Sequence, residues 1–291
     1  MYSNSKINNI KCCYTFQGKI PLRCISVLDN ELIASASINN SIQIWDIFTH
    51  KELFTLDGHD DTINCILYIG NHQLVSCSAD MTIRFWDLKN KSFLFSIQAH
   101  SDEIYSTIDL GNQHIATCSS DKTIKLWNIS TKKCEQTYNG EDDPIICIYL
   151  LQDGRIASNY DNNTIKIWGR KNNENPILLQ GHLNYVVAIC QIANGNIISG
   201  SFDKSLKIWD IKDYSCAYTI KTHSVNCIIE LNENSICSCS DDKTIKIYDL
   251  TMMKCVHTLT GHNNIINQIS LSKDKQYIVS CSDDKTIKLW G

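Results

Sequence analysis

An aromatic residue that recurs about every 41 residues constrains this chain more than any other feature of its sequence. It closes seven short runs similar to TIKIWD, and the successive gaps are 41, 41, 41, 41, 39 and 42 residues. An internal repeat of this period indicates an array of equivalent supersecondary units packed against one another. The seven positions are Trp45, Trp86, Trp127, Trp168, Trp209, Tyr248 and Trp290.

Each repeat contains four short runs that are rich in β-branched residues and bounded by Asn, Asp, Gly and Ser. In the second repeat these runs read TINCILYI, QLVSCS, MTIRFWDL and FLFSI. They follow one another too closely for helices of ten or more residues. We therefore predict an all-β, seven-bladed β-propeller with four-stranded antiparallel blades, occupying residues 1–291 as one domain.

The repeats resemble those of the WD-repeat β-propeller family over essentially the whole chain. The resemblance implies the fold but leaves the function open, because this fold carries many unrelated functions. The Gly-His and Trp-Asp pairs that carry it are Gly58-His59, Gly181-His182, Gly261-His262, Trp45-Asp46, Trp86-Asp87 and Trp209-Asp210.

The two ends of the chain are predicted to close the ring together. The segment KCCYTFQG at 11–18 parallels KCVHTLTG at 254–261, which ends a repeat as its outermost strand. The last repeat stops at Trp290-Gly291, directly after a third strand. We therefore expect residues 10–17 to supply the missing outer strand of the last blade, an arrangement usual in the family that removes an open sheet edge.

Five repeats carry a His about 25 to 28 residues before the aromatic residue, together with a hydroxyl residue ten residues and an Asp six residues before it. Ser, His and Asp together can form a nucleophilic triad, but five copies around a ring favour a structural role. The resemblance implies a buried network from the indole through the hydroxyl and the His to the Asp. The five sets are His59, Ser76, Asp80, Trp86; His100, Thr117, Asp121, Trp127; His182, Ser199, Asp203, Trp209; His223, Ser238, Asp242, Tyr248; and His262, Ser280, Asp284, Trp290.

Two repeats lack this set and are predicted to form the softer blades. The first has Lys19 and Asn39 in the positions of the His and the Asp, and the fourth has Glu141 and Asn162.

Charge on the narrower face of such a propeller is predicted to be one-sided. One side of that face is basic, because four lysines, Lys204, Lys243, Lys285 and Lys19, outnumber Asp241 and Asp283 there. The other side is acidic, because eight acids there accompany a single lysine, Lys122; they are Asp60, Asp61, Asp102, Glu103, Glu141, Asp142, Asp143 and Asp161.

Apolar side chains accompany these acids at loop positions, namely Leu183, Tyr185, Phe202 and Ile38. Apolar anchors beside a charged rim are typical of protein-binding sites. We hypothesise a non-enzymatic scaffold or adaptor that binds a basic peptide or protein segment and is a subunit of a larger complex. A solvated acidic rim without a partner is the alternative interpretation.

Two other functions are weaker alternatives. A phosphopeptide-reading substrate receptor of a ubiquitin ligase would need clustered arginines, whereas Arg23, Arg84, Arg155 and Arg170 are spread over separate repeats. A propeller enzyme would need converging acids, bases or ligands, whereas the innermost strands are mainly apolar, with Asp109 and Glu230 in different repeats. We therefore expect no catalytic residue, no cofactor and no metal.

Composition bounds the compartment and the partner class. A net charge of −4 argues against direct nucleic-acid binding. The longest apolar run, 145–151, is far shorter than the roughly 18 residues of a membrane span, and MYSNSKINNIKCC is unlike a signal peptide. The 15 cysteines include no C-x-x-C pair, so most are expected to be small buried hydrophobes in a reducing compartment. We expect a cytoplasmic or nuclear protein that is not secreted and not membrane-bound.

Overall fold

The computed structural model describes residues 10–29, 32–141, 143–160, 163–169 and 174–291. Their strands form seven four-stranded antiparallel sheets, the blades, and no α-helix occurs among these residues. The prediction of a seven-bladed, all-β propeller is therefore confirmed. Asp142, Asp161, Asn162 and Arg170, which the sequence analysis used, lie outside the described residues.

The 28 strands follow the repeat pattern of the sequence. Blades 1, 2 and 3 contain, in turn, β2 (Leu22–Val27), β3 (Leu32–Ser37), β4 (Ser41–Asp46), β5 (Lys51–Asp57); β6 (Ile63–Tyr68), β7 (Gln73–Ser78), β8 (Thr82–Asp87), β9 (Ser92–Gln98); and β10 (Ile104–Gly111), β11 (His114–Ser119), β12 (Thr123–Asn128), β13 (Lys133–Asn139).

The remaining blades are numbered 4 to 7 in chain order. They contain β14 (Ile148–Leu150), β15 (Ile156–Tyr160), β16 (Thr164–Trp168), β17 (Ile177–Leu179); β18 (Val186–Gln191), β19 (Ile197–Ser201), β20 (Ser205–Trp209), β21 (Cys216–Lys221); β22 (Cys227–Asn232), β23 (Ser235–Cys239), β24 (Thr244–Asp249), β25 (Lys254–Thr260); and β26 (Ile266–Leu271), β27 (Ile278–Ser282), β28 (Thr286–Trp290) with β1 (Cys12–Gln17).

The N-terminal strand closes the ring, as the sequence predicted. β1 pairs antiparallel with β28, which makes it the outer strand of blade 7. The amide and carbonyl of Lys11 each bond Gly291 at 3.1 Å, and Ile10 is buried in the core of blades 6 and 7. At the centre, Asn267 Nδ2 of β26 donates to the Leu22 carbonyl of β2 at 2.7 Å, so the last blade is also joined to the first.

The core lies between blades rather than within them. Each of its hydrophobic clusters joins residues of neighbouring blades; Trp86 of blade 2, for example, packs with Ile42 and Leu56 of blade 1. All cysteines are free. Cysteines on the second strands, such as Cys77 and Cys118, are buried as expected. Five others, at or near the start of outer strands, are exposed: Cys12, Cys13, Cys134, Cys216 and Cys255.

Strand order places two kinds of connection at the same end of the ring. Antiparallel alternation brings the loops between blades and the turns between second and third strands to one end, here called the interblade face, which the resemblance identifies as the narrower one. Main-chain hydrogen bonds join turn and loop in several blades, for example Ser120 N to Glu103 O at 2.9 Å and Phe202 N to Tyr185 O at 3.0 Å.

Candidate interaction surface

A buried hydrogen-bonded chain links the core of blade 2 to its interblade face. Trp86 Nε1 donates to Ser76 Oγ at 2.8 Å. His59 lies 2.7 Å from Ser76 Oγ through Nε2 and 2.7 Å from Asp80 through Nδ1. Because the carboxylate only accepts, Nδ1 carries the proton and Nε2 accepts from the serine hydroxyl. The same chain joins His100, Thr117, Asp121, Trp127; His182, Ser199, Asp203, Trp209; and His262, Ser280, Asp284, Trp290.

Each chain ends by fixing loop backbone. The Asp80 carboxylate also accepts from the Asp60 amide at 3.0 Å and from Thr82 Oγ1 at 2.6 Å. Burial alone would raise the pKa of Asp80, but the bonds from His59 and Thr82 outweigh it and hold this pKa below its usual range. In blades 2, 3, 5 and 7 the interblade loop is therefore tied to the core through the turn of the same blade.

Blade 6 has a looser version of this chain. Tyr248 replaces the tryptophan, and its hydroxyl bonds Ser238 at 3.3 Å and Thr222. His223 Nδ1 lies 3.2 Å from Asp242, whose side chain is 41% exposed against 7% for Asp80. Burial lowers the pKa of His223 to about 4, and the carboxylate of Asp242 only partly opposes this.

Among the described residues, blades 1 and 4 show only the bond between the indole and the hydroxyl. Trp45 donates to Ser35 at 2.8 Å, and Trp168 donates to Ser158 at 2.9 Å. In blade 4 the first and last strands have three residues each, and Lys166 Nζ lies 4.2 Å from the ring centroids of both Tyr160 and Trp168. The greater softness of these blades stays a prediction.

The acidic residues lie on three successive interblade loops, which we call the acidic loops. Asp60 and Asp61 precede blade 2, Asp102 and Glu103 precede blade 3, and Glu141 and Asp143 precede blade 4. Asp61 and Asp102 also bind backbone, since their carboxylates accept from the next amide at 2.6 and 2.8 Å.

Cations of the third strands also reach these loops. Arg84 Nη2 lies 3.9 Å from Asp60, and Lys125 Nζ donates to the Ala99 carbonyl at 2.8 Å. In the sequence Arg84 lies in the middle of a strand, and the charge balance predicted from the sequence did not include it. Its position two residues before Trp86 was the available signal, because that position holds a basic residue in blades 2 to 7.

Apolar side chains are exposed on the same face. Leu183 and Tyr185 lie in the loop before blade 5, and Phe202 lies in the turn between β19 and β20. Ile38 is exposed in the corresponding turn of blade 1. Met81, exposed in the turn of blade 2, was missed because it was assigned to the strand; its φ of 67° places it in the turn.

The centre of the ring holds a cavity of about 230 Å³ lined by the seven innermost strands. The acids noted on those strands bind backbone. Asp109 Oδ1 accepts from the Gly111 amide and Glu230 Oε1 from the Ala193 amide, each at 2.8 Å. Among the described residues, no group of three or more His, Cys, Asp or Glu is arranged to hold a metal ion. The described part of the chain also contains no helix long and apolar enough to span a membrane.

A protein-family model described as the IFT122 first beta-propeller matches residues 23–291. The match covers the chain from β2 to its last residue, and thus all seven inner strands. A search of curated proteins finds no match.

Proposed function

The chain belongs to the IFT122 first beta-propeller family, and from that premise we propose that it is a non-enzymatic interaction scaffold whose acidic loops bind a basic peptide or protein segment. Propellers of this type are typical protein-interaction scaffolds. A rigid ring that presents many loops is suited to hold the subunits of a larger complex together.

The observation that carries this proposal is the succession of acids on three neighbouring loops, two of which are anchored by buried chains. Asp60 and Glu141 are exposed at its two ends, and Asp102 is exposed between them. The buried chains of blades 2 and 3 fix the backbone of the first two of these loops at Asp60 and Ser101, so a ligand would not have to order these two loops on binding. Arg84 and Lys125 reduce the net negative charge of these loops but do not cover the exposed carboxylates. A cationic segment is therefore the partner of complementary charge.

Charge reversal on these loops tests the proposal. The triple variant Asp60→Lys, Glu103→Lys, Glu141→Lys leaves the backbone contacts of Asp61 and Asp102 in place. We expect it to weaken binding of a fluorescein-labelled Lys/Arg-rich peptide about tenfold or more and to flatten the salt dependence. Fluorescence anisotropy at two salt concentrations measures both effects.

A matched variant controls for net charge. Glu52→Lys, Glu135→Lys, Glu233→Lys makes the same change at exposed positions away from the interblade face. This variant should bind the peptide like the unmodified chain. Equal weakening by both triple variants would contradict the proposal.

A further inference from the structure

A second cavity opens on the interblade face at blade 5, and its lining is cationic. Its volume is about 460 Å³. Its lining residues run from the loop before β18 to Thr222, directly after β21. They are Gly181, Leu183, Asp203, Lys204, Ser205, Lys207, Thr219, Lys221 and Thr222.

The pairing of the outer strand with the third strand explains why the lysines gather in blade 5. Among blades 1, 2, 3, 5, 6 and 7, only blade 5 has a lysine at the interblade end of its outer strand. Lys221 of β21 pairs with Ser205 of β20 at the interblade end of the sheet. The corresponding residues of the other outer strands carry no positive charge: Asp57, Gln98, Asn139, Thr260 and Gln17. Lys204, in the turn before β20, and Lys207, two residues into β20, complete the set in blade 5.

The positive charge of this cavity is not neutralised from within. Asp203, its one acid, is committed to the buried chain and accepts from His182, from the Leu183 amide and from Ser205. Lys207 Nζ donates to Thr219 Oγ1 at 2.9 Å. Within the described ranges, none of the three lysines forms a salt bridge, whereas Lys246 of blade 6 pairs with Asp242 at 3.7 Å.

One of the residues that line this cavity, Leu183, has an exposed apolar side chain. Leu183 is 86% exposed, although its amide is fixed to Asp203 at 2.9 Å. The residues that make this bond in blades 2, 3 and 7 are polar, namely Asp60, Ser101 and Asn263. An exposed leucine on anchored backbone, with Phe202 and Tyr185 exposed nearby, has the character of a contact point for a partner.

We propose that the blade 5 cavity binds an acidic protein segment, in which carboxylate side chains contact the lysines and a neighbouring apolar side chain contacts Leu183. Lysines act as point charges that suit single carboxylates, and the cavity lacks the arginine forks that favour phosphoryl groups. This site goes beyond the proposed function and is independent of it, because it uses other residues and a ligand of opposite charge.

Peptide binding to the full chain tests the site. The probe is a fluorescein-labelled peptide that contains Glu-Leu-Glu between Gly-Ser flanks. We expect measurable binding that weakens at high salt and weakens about tenfold in Lys204→Gln, Lys221→Gln. Leu183→Asn should weaken it by about threefold or more, through lost apolar contact.

Matched peptides and variants separate the outcomes. Lys51→Gln, Lys133→Gln removes two exposed charges at the opposite end of the strands and should leave binding unchanged. Replacing both glutamates of the peptide by glutamine should abolish binding, and replacing the leucine by serine should weaken it. Absence of binding, equal loss in both double-lysine variants, or binding only when phosphoserine replaces glutamate would overturn the proposal. None of these results bears on the acidic loops.

Discussion

At the scale of single residues, one hydroxyl per blade decides how firmly the interblade face is held. Ser199 of blade 5 accepts from Trp209 and donates to His182, so it satisfies two buried groups at once. Ser158 of blade 4 accepts from Trp168, and no second partner is found for it in the described part of the chain. Both serines are fully buried, so neither Trp nor His can turn to water when the hydroxyl is lost.

Ser199→Ala and Ser158→Ala form a matched pair for this effect. An unsatisfied buried group costs about 1–3 kcal/mol. Ser199→Ala leaves two such groups, so we expect it to lower the free energy of unfolding about twice as much as Ser158→Ala. Urea denaturation measures both values; equal losses would contradict a network role for His182.

At the scale of elements, β1 connects the two ends of the ring. Its Phe16 is buried, and its ring lies 5.8 Å from that of Trp45 in blade 1 although β1 belongs to blade 7. Tyr14 of the same strand stacks on His50 of blade 1 at 3.5 Å. The closing strand thus supplies both a hydrogen-bonded edge to β28 and an apolar contact to the first blade.

Phe16→Ala isolates the apolar part of this closure. The strand can keep its main-chain bonds, while a large buried ring is lost. We expect the free energy of unfolding to fall by about 3–5 kcal/mol, measured by urea denaturation. Cys12→Ser, at an exposed position of the same strand, should change it by less than about 0.5 kcal/mol. A small effect of Phe16→Ala would show that closure depends on the backbone bonds alone.

At the scale of the whole molecule, the interblade face has two regions of opposite charge. Acidic loops precede blades 2, 3 and 4, and a cationic cavity lies in blade 5. The buried chains of hydrogen bonds in blades 2, 3, 5, 6 and 7 contain imidazoles that are distributed around the ring. The stability of the whole ring is therefore linked to pH through several equivalent groups.

Burial lowers the pKa of His100, His182 and His262, and that of His223 to about 4, although their aspartate partners oppose it. Unfolding returns each to about 6.5, so the unfolded chain binds more protons between these values. Stability should then fall as pH drops below about 6.5. The aspartates, whose pKa values are lowered in the fold, add a further loss as pH falls below about 4.

Urea denaturation at pH values from 7.5 to 4.5 checks this linkage. The free energy of unfolding should decrease steadily below pH 6.5. In His223→Asn the decrease between pH 6.5 and 4.5 should be smaller, because one titrating group is gone. A free energy that stays constant or rises over this range would contradict the expectation.

The sequence by itself determined the number of blades, the closing strand and the members of each buried chain. These features depend on spacing along the chain, and a repeat of nearly constant length places equivalent residues at equivalent points of every blade. The match between 11–18 and 254–261 identified β1 for the same reason, since an outer strand keeps its pattern wherever the chain supplies it.

The tertiary structure alone decided what surrounds each exposed charge. Arg84 lies beside Asp60, and Lys221 shares a cavity with Leu183, although 24 and 38 residues separate the members of these pairs. Such neighbours depend on strand register, on the reach of long side chains and on which carboxylates are already committed to the core. Counting charges along the sequence identified the acidic loops, but only the register of β20 and β21 brought three lysines together.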